Sequence, residues 1–293
     1  MRRNNKYDKK SFELSEAILS QNPEYYSVWN YRREILIKGL FKELSKDDIQ
    51  KLLEKELVFL EHILRKFPKV YWIWTHRKWC FKNSPNPNWT REMGLINKML
   101  ELDPRNFHVW HYRRYVVAEI EKEKEQSLVK QEFDFTTSKI NANFSNFSAW
   151  HNRGKLIPRL LKENSDIDPR DIYRKELDYI RQAIYTDPDD QSSWIYHEWL
   201  ITKSTDIVAN QTVDERVTIL QGEIESIKEL YEVEPESKWC IYSLVFYQTF
   251  LSELTGASLK GADLEDVIAK LDKLIEIDPG RSARYNYLKQ KNI

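Results

Sequence analysis

A tryptophan returns along this chain at Trp29, Trp74, Trp110, Trp150, Trp194 and Trp239, in steps of 45, 36, 40, 44 and 45 residues, and Tyr285 takes the next place 46 residues on. Six residues before the aromatic stands Pro23, Pro68, Pro104, Pro188 or Pro279, while Pro235 misses that place by two. Three residues after it stands Arg32, Arg77, Arg113 or Arg153. Self-similarity at such a period marks a repeat array, in which each unit is one supersecondary piece that buries its apolar face only against its neighbours.

The pieces read as helix hairpins. In front of the prolines, apolar residues step by four and three: Leu53, Leu57, Leu60, Leu64 and Phe67; Val213, Val217, Leu220, Ile224, Ile227 and Tyr231; Leu264, Ile268, Leu271 and Ile275. That spacing lays one apolar stripe along one helix face. The proline then stops the helix and fixes a turn. A second helix begins just before the tryptophan and carries tryptophan and arginine on one face. Only 7 glycines in 293 residues fit helix throughout. Turn chemistry separates the units at residues 82–89, 162–171 and 254–263, and the charged run 121–126 reads as a solvated helix end or loop. The expectation is an all-α chain, a right-handed superhelical solenoid of about seven helix-hairpin repeats, forming one domain over residues 1–293.

Features present in every repeat serve the repeat. The lattice of Trp29, Arg32, Trp74, Arg77, Trp110, Arg113, Trp150, Arg153 and Trp194 is therefore expected to be structural. The tryptophans act as wedges between hairpins, and the arginines satisfy backbone carbonyls or an acid in the next unit. What differs between units is more informative. The residue after the proline position runs Glu24, Lys69, Arg105, Ser145, Asp189, Glu234 and Gly280, so only units two and three are basic. Three before the aromatic, the series is Tyr26, Tyr71, Phe107, Phe147, Gln191, Glu236 and Ser282, aromatic in the first four units only. Unit three adds His108. Equivalent positions in stacked units lie about 10 Å apart. Lys69, Arg105 and His108 are thus expected on one edge, at helix N-termini that favour an anion; the alternative is that they are ordinary surface charges.

Other classes recede. Lys plus Arg and Asp plus Glu balance at 46 each, against a general nucleic-acid binder. No apolar run is long enough to span a bilayer, and the first ten residues have no apolar stretch behind them to make a secretory signal. Cys80 and Cys240 are far apart, which fits a reduced cytoplasmic setting. Sequons at Asn88, Asn143, Asn146 and Asn210 carry no weight without secretion. His76 with Cys80, and His108 with His111, supply two ligands each where zinc needs three or four, so no metal is expected on this chain. No self-sufficient catalytic motif occurs; in an enzyme this chain would lend groups to a site completed elsewhere.

The lattice Pro-(Lys/Arg)-x-(Tyr/Phe)-x-x-Trp-x-x-Arg resembles the α subunits of protein prenyltransferases over nearly the whole chain. The stretches KVYWIWTHRKW, RNFHVWHYRRYVV and TTSKINANFSNFSAWHNR are most similar to the type II, Rab-directed geranylgeranyl members in their short fungal form. The resemblance implies a division of labour. A β-subunit barrel binds the catalytic zinc and the isoprenoid, and the α subunit wraps it in an obligate heterodimer. Geranylgeranyl diphosphate binds at the subunit interface, and a Rab escort protein presents Rab GTPases whose C-terminal cysteines are modified. On that resemblance Lys69 matches a lysine that contacts the diphosphate leaving group, and Tyr71 a tyrosine beside it. Phe107 and His108 match an aromatic and a histidine lining the same region, and Arg105 a basic position there. Phe107 has no hydroxyl and offers no hydrogen bond. Two other readings remain: the α subunit shared by farnesyltransferase and the type I geranylgeranyl enzyme, and a non-catalytic tetratricopeptide-like scaffold.

Overall fold

The structure is a computed structural model, and it describes residues 6–204 and 211–292. Among them the chain is helical. The α-helices are α1 (Lys9–Gln21), α2 (Tyr26–Lys38), α3 (Lys46–Lys66), α4 (Tyr71–Asn83), α5 (Trp89–Leu102), α6 (Phe107–Lys124), α7 (Val129–Ala142), α8 (Phe147–Glu163), α9 (Pro169–Thr186), α10 (Gln191–Thr202), α11 (Val213–Val233), α12 (Lys238–Thr255), α13 (Ala262–Ile277) and α14 (Ser282–Asn292). Each odd-numbered helix packs on the even-numbered helix that follows it, giving seven hairpins among the described residues. The helices fall into two compact units, one ending at Gln126 and the other starting at Ser127. Within the first, α2, α4 and α6 pack on one another in turn; within the second, α8, α10 and α12 do.

The proline–tryptophan spacing has a local cause. The indole Nε1 of Trp29, Trp74, Trp110 and Trp194 donates to the carbonyl oxygen of Pro23, Pro68, Pro104 and Pro188, at 2.8, 3.1, 2.8 and 2.8 Å. Trp150 makes the same bond to the Phe144 carbonyl, at 2.7 Å. A carbonyl that the interrupted helix leaves open is thereby satisfied by the next helix. Where the spacing slips, as before Trp239, or a tyrosine replaces the tryptophan, as at Tyr285, the solution changes. Trp239 lies beneath the Arg281 guanidinium, 5.0 Å away, and the Tyr285 hydroxyl donates to Asp278 at 2.7 Å.

Joints between hairpins follow one pattern in each unit. Trp29 packs on His76 of the next hairpin with ring centres 4.8 Å apart, Trp74 on Tyr112 at 5.0 Å, and Trp150 on Tyr196 at 4.7 Å. The same rings hold a buried glutamate of their own hairpin. His76 reaches Glu56 at 2.8 Å, Tyr112 donates to Glu92 at 2.6 Å, and Tyr196 donates to Glu176 at 2.7 Å. Each glutamate is also gripped by both arms of the arginine from the hairpin before: Glu56 by Arg32, Glu92 by Arg77, Glu176 by Arg153. The third arginine nitrogen goes to a carbonyl, of Phe12 for Arg32 and of Leu57 for Arg77. In the fifth hairpin His197 stands in the arginine place and contacts Glu223 at 2.9 Å.

Burial pushes the Glu56 carboxyl up, but hydrogen bonds from Arg32 and His76 outweigh it and hold it at about 2. Burial pulls the His76 imidazole down, against the pull of Glu56. The ring is therefore neutral, with Nε2–H donating to Glu56 and Nδ1 accepting from Arg33 Nε at 3.1 Å.

Several sequence details shift. On α13 the fully buried apolar row is Val267, Leu271 and Leu274, whereas the anticipated Leu264, Ile268 and Ile275 are half-buried flanks of the same face. Val213, at the first position of α11, is exposed and no part of the buried stripe. Asn88 and Asn146 of the sequons are helix N-caps. Asn210 lies outside the described residues. The charged run at 121–126 is the solvated end of α6, closed by Glu125 in the left-handed region at φ 51°. Cys80 and Cys240 are both free and buried. Among the described residues no helix is long and apolar enough to cross a membrane, and no three His, Cys, Asp or Glu side chains are grouped to hold a metal ion.

Candidate functional site

Pro68 opens the turn after α3, and Lys69 follows it in the open, its side chain 70% exposed. Tyr71 is the first residue of α4 and 55% exposed. One hairpin on, Pro104 and Arg105 occupy the equivalent turn and lead into Phe107, the first residue of α6, which is 67% exposed. These two turns are tied together. Asn106 Nδ2 donates to the Pro68 carbonyl at 3.5 Å, and Lys69 Nζ lies 3.5 Å from Asp103 Oδ2. The hairpin packing thus brings Lys69, Tyr71, Arg105, Phe107 and His108 to one edge of the first compact unit.

The aromatic lining is partly continuous. Tyr26 packs on Trp72 with ring centres 5.4 Å apart, Trp72 meets Tyr71 edge-on at 5.3 Å, and Phe107 packs on His108 at 4.1 Å. Trp72 was not singled out in the sequence, although it holds the same repeat position, two before the tryptophan, that His108 holds in unit three. Phe147 belongs to the second unit, where it packs on His151 and helps line a mostly apolar groove of about 380 Å³ with Trp150, Ile195 and Trp199.

The electrostatics differ from a simple basic patch. Lys69 already faces Asp103, and Glu24 and Lys69 both act on His108. Burial pulls the His108 imidazole below its usual value, Glu24 opposes that, and the Lys69 charge reinforces it. His108 therefore serves as a neutral hydrogen-bonding ring near pH 7 and not as a third cation. The helix N-termini are unequal too. Asn106 caps α6, accepting from the backbone N–H of His108 and Val109 at 3.0 and 3.3 Å. At α4 the cap position is Val70, which has no side-chain acceptor. The open helix end at Val70 and the exposed ammonium of Lys69 adjoin each other in sequence at the start of α4, which makes that end the one suited to an anion.

The buried glutamates were missed in the sequence, although a signal exists. Glu56, Glu92, Glu176 and Glu223, and with them the half-buried Glu132, each stand twelve residues before Pro68, Pro104, Pro188, Pro235 and, for Glu132, Phe144. A charged residue inside an apolar stripe is ordinarily assigned to the solvated face, which hides the period.

The family described as protein prenyltransferase alpha subunit repeat matches residues 8–38, 53–84, 89–120, 129–160 and 173–204. The chain is 46% identical to the geranylgeranyl transferase type-2 subunit alpha of Schizosaccharomyces pombe, across 99% of this chain and 87% of that protein. It is 38% identical to the Saccharomyces cerevisiae protein of the same name, across 98% and 86%. The human protein of that name is 41% identical over 67% of this chain, which is 34% of its own length. Among solved structures, Candida albicans protein geranylgeranyltransferase-I complexed with GGPP has the same fold, with a TM-score of 0.70 over 100% of this chain and 87% of that one at 21% identity.

Proposed function

The chain belongs to the protein prenyltransferase α-subunit family, among the geranylgeranyl transferase type-2 alpha subunits, and from that premise we propose what it does in a cell. It pairs with a prenyltransferase β subunit in the cytoplasm. The pair moves geranylgeranyl groups from geranylgeranyl diphosphate to C-terminal cysteines of Rab GTPases held by a Rab escort protein. The observation that carries this reading is 46% identity along 99% of the chain, joined to an exposed cation at an uncapped helix end in the second hairpin. A zinc ion in the partner subunit would supply the activated thiolate.

This chain's own contribution is to the leaving group. As the bond between the isoprenoid carbon and the diphosphate oxygen lengthens, charge accumulates on the diphosphate. A cation positioned there stabilises the transition state more than the ground state. Lys69 is suited to the role because its pair with Asp103, between exposed groups at 3.5 Å, is weak and exchangeable. Tyr71 can donate its hydroxyl beside it. Phe107 offers an apolar face, and neutral His108 one donor and one acceptor. Arg105, exposed in the neighbouring turn, adds long-range attraction for the diphosphate.

The test is co-expression with a candidate type II β subunit, followed by transfer of a labelled isoprenoid. Transfer to a Rab–escort complex and not to a CaaX peptide supports the reading. Transfer to the CaaX peptide instead assigns the chain to the other two prenyltransferases, and a chain that never pairs removes the proposal.

A further inference from the structure

Seven residues before the repeat aromatic stands Asn22, Asp103, Asn143, Asp187 or Asp278. In the first four of these the side chain closes the turn that follows. Its Oδ1 accepts the backbone N–H two residues on: from Glu24 at 3.0 Å, Arg105 at 3.4 Å, Ser145 at 3.0 Å and Asp189 at 3.0 Å. The turn needs one side-chain oxygen and no charge, as Asn22 and Asn143 demonstrate. The charge of Asp103 is therefore surplus to its own turn.

Its second oxygen reaches the hairpin before. Asp103 Oδ2 lies 3.5 Å from Lys69 Nζ. A separate tie holds the two turns together. Asn106, 3% exposed, donates to the Pro68 carbonyl at 3.5 Å, the same oxygen that takes the Trp74 indole N–H at 3.1 Å. The oxygen of Asn106 receives the N–H groups of His108 and Val109. Along the repeat, an acid at this position follows a base in the preceding turn at Asp103 and Lys69 alone. Asn143 follows Arg105, Asp187 follows Ser145, and Asp278 follows Glu234.

A carboxylate in front of a cation suited to an anion has two opposed effects. Pairing restrains a long side chain, which favours a later contact. It also engages the ammonium, which must be released before a diphosphate takes it. With Nζ and Oδ2 3.5 Å apart and the lysine 70% exposed, the restraint is slight, and the competition prevails. We infer that Asp103 is a positioning residue for the leaving-group site: it holds the Lys69 ammonium at the turn while no diphosphate is present, yields it as the diphosphate arrives, and takes it back as the diphosphate product departs. The inference rests on the reading that Lys69 contacts the leaving group, and it goes beyond that reading by giving this chain a part in product release. The exchange makes and breaks no covalent bond.

The experiment uses the heterodimer with a type II β subunit and compares wild type, Asp103→Asn, Lys69→Ala and the double variant. Inorganic diphosphate is the probe. Its inhibition constant against isoprenoid transfer is measured at low and high salt, beside the single-turnover rate at saturating geranylgeranyl diphosphate and a thermal melt. Asparagine keeps the turn, so Asp103→Asn should melt like the wild type. It should lower the inhibition constant about 2- to 5-fold at low salt, the scale of one exposed ion pair, and less at high salt. The saturated single-turnover rate should stay within about 2-fold of wild type, because Lys69 has already left Asp103 once the site is filled. With Lys69→Ala in place, Asp103→Asn should leave the constant unchanged, since the coupling runs through the lysine. A constant that Asp103→Asn does not move overturns the inference. So does one that tightens equally with and without Lys69, because Asp103 would then repel the diphosphate directly. A lowered melting temperature in Asp103→Asn overturns it too, since the carboxylate would then be structural. Lys69→Ala with wild-type inhibition and transfer removes the leaving-group role of Lys69, and this inference with it. A heterodimer that transfers nothing overturns the proposed function itself.

Discussion

Arg77 and Glu92 face each other across the joint between the second and third hairpins, with Nε and Nη2 of the arginine each 2.5 Å from a different carboxylate oxygen. Both side chains are 1% exposed. The pair is shut off from water, and Tyr112 completes it with a third hydrogen bond to Glu92. Glu92→Ala leaves the guanidinium buried and unpaired, and should cost roughly 3–5 kcal/mol in denaturant unfolding. The double replacement Arg77→Met with Glu92→Leu should cost less than the single change, since a buried pair exchanged for apolar groups is often nearly neutral.

Acid should weaken the first compact unit in two stages. His76 has a lowered pKa in the fold, so the unfolded chain takes up its proton first as pH falls through about 6.5, and stability declines from there. Glu56 is held at about 2 against an ordinary 4.5, so its contribution is complete above 4.5 and disappears as pH falls from there towards 2. That second stage should amount to roughly 3 kcal/mol. Denaturant midpoints at pH 7.5, 5.5 and 3.5 read out both stages. His76→Gln should shrink the difference between the first two, and Glu56→Gln the difference between the last two.

Trp150 separates wedge from hydrogen bond. Trp150→Ala opens a cavity against Tyr179 and Tyr196 and should cost about 3–5 kcal/mol. Trp150→Phe keeps much of the ring but orphans the Phe144 carbonyl, and should cost about 1–3 kcal/mol. Thermal melts of the two variants should therefore be ordered, with the alanine form the less stable. Equal melting of both would mean that the indole N–H, and not the ring volume, closes the turn.

Lys69→Ala should leave heterodimer assembly intact and slow single-turnover transfer by ~10- to 10³-fold, the range for losing one preorganised charge contact. Tyr71→Phe should slow transfer less, because it removes one neutral hydrogen bond. Gel filtration checks assembly and a fluorescent isoprenoid follows the transfer. An assembled Lys69→Ala enzyme with wild-type transfer would return Lys69 to an ordinary surface charge.

The repeat was legible in the sequence because its causes are local. A proline that ends one helix and a tryptophan six residues later are joined by a single hydrogen bond, as at Pro68 and Trp74, so the spacing is written into the chain wherever the bond is made. Hairpin count and helix type follow from the same local rule. The buried glutamates were not legible. Glu56 looks like any charged residue on a helix, and only the arrival of Arg32 from 24 residues earlier and His76 from 20 residues later makes its burial tolerable. The edge around Lys69 was legible in its members and not in its electrostatics. Sequence alone places a cation after Pro68, but Asp103 in front of it, the open N-terminus at Val70 and the neutral state of His108 arise from packing one hairpin on the next. Periodicity along the chain thus determined the hairpins, whereas the partners of each charge were decided by residues far apart in sequence, because burial and Coulomb forces act through space and not along the backbone.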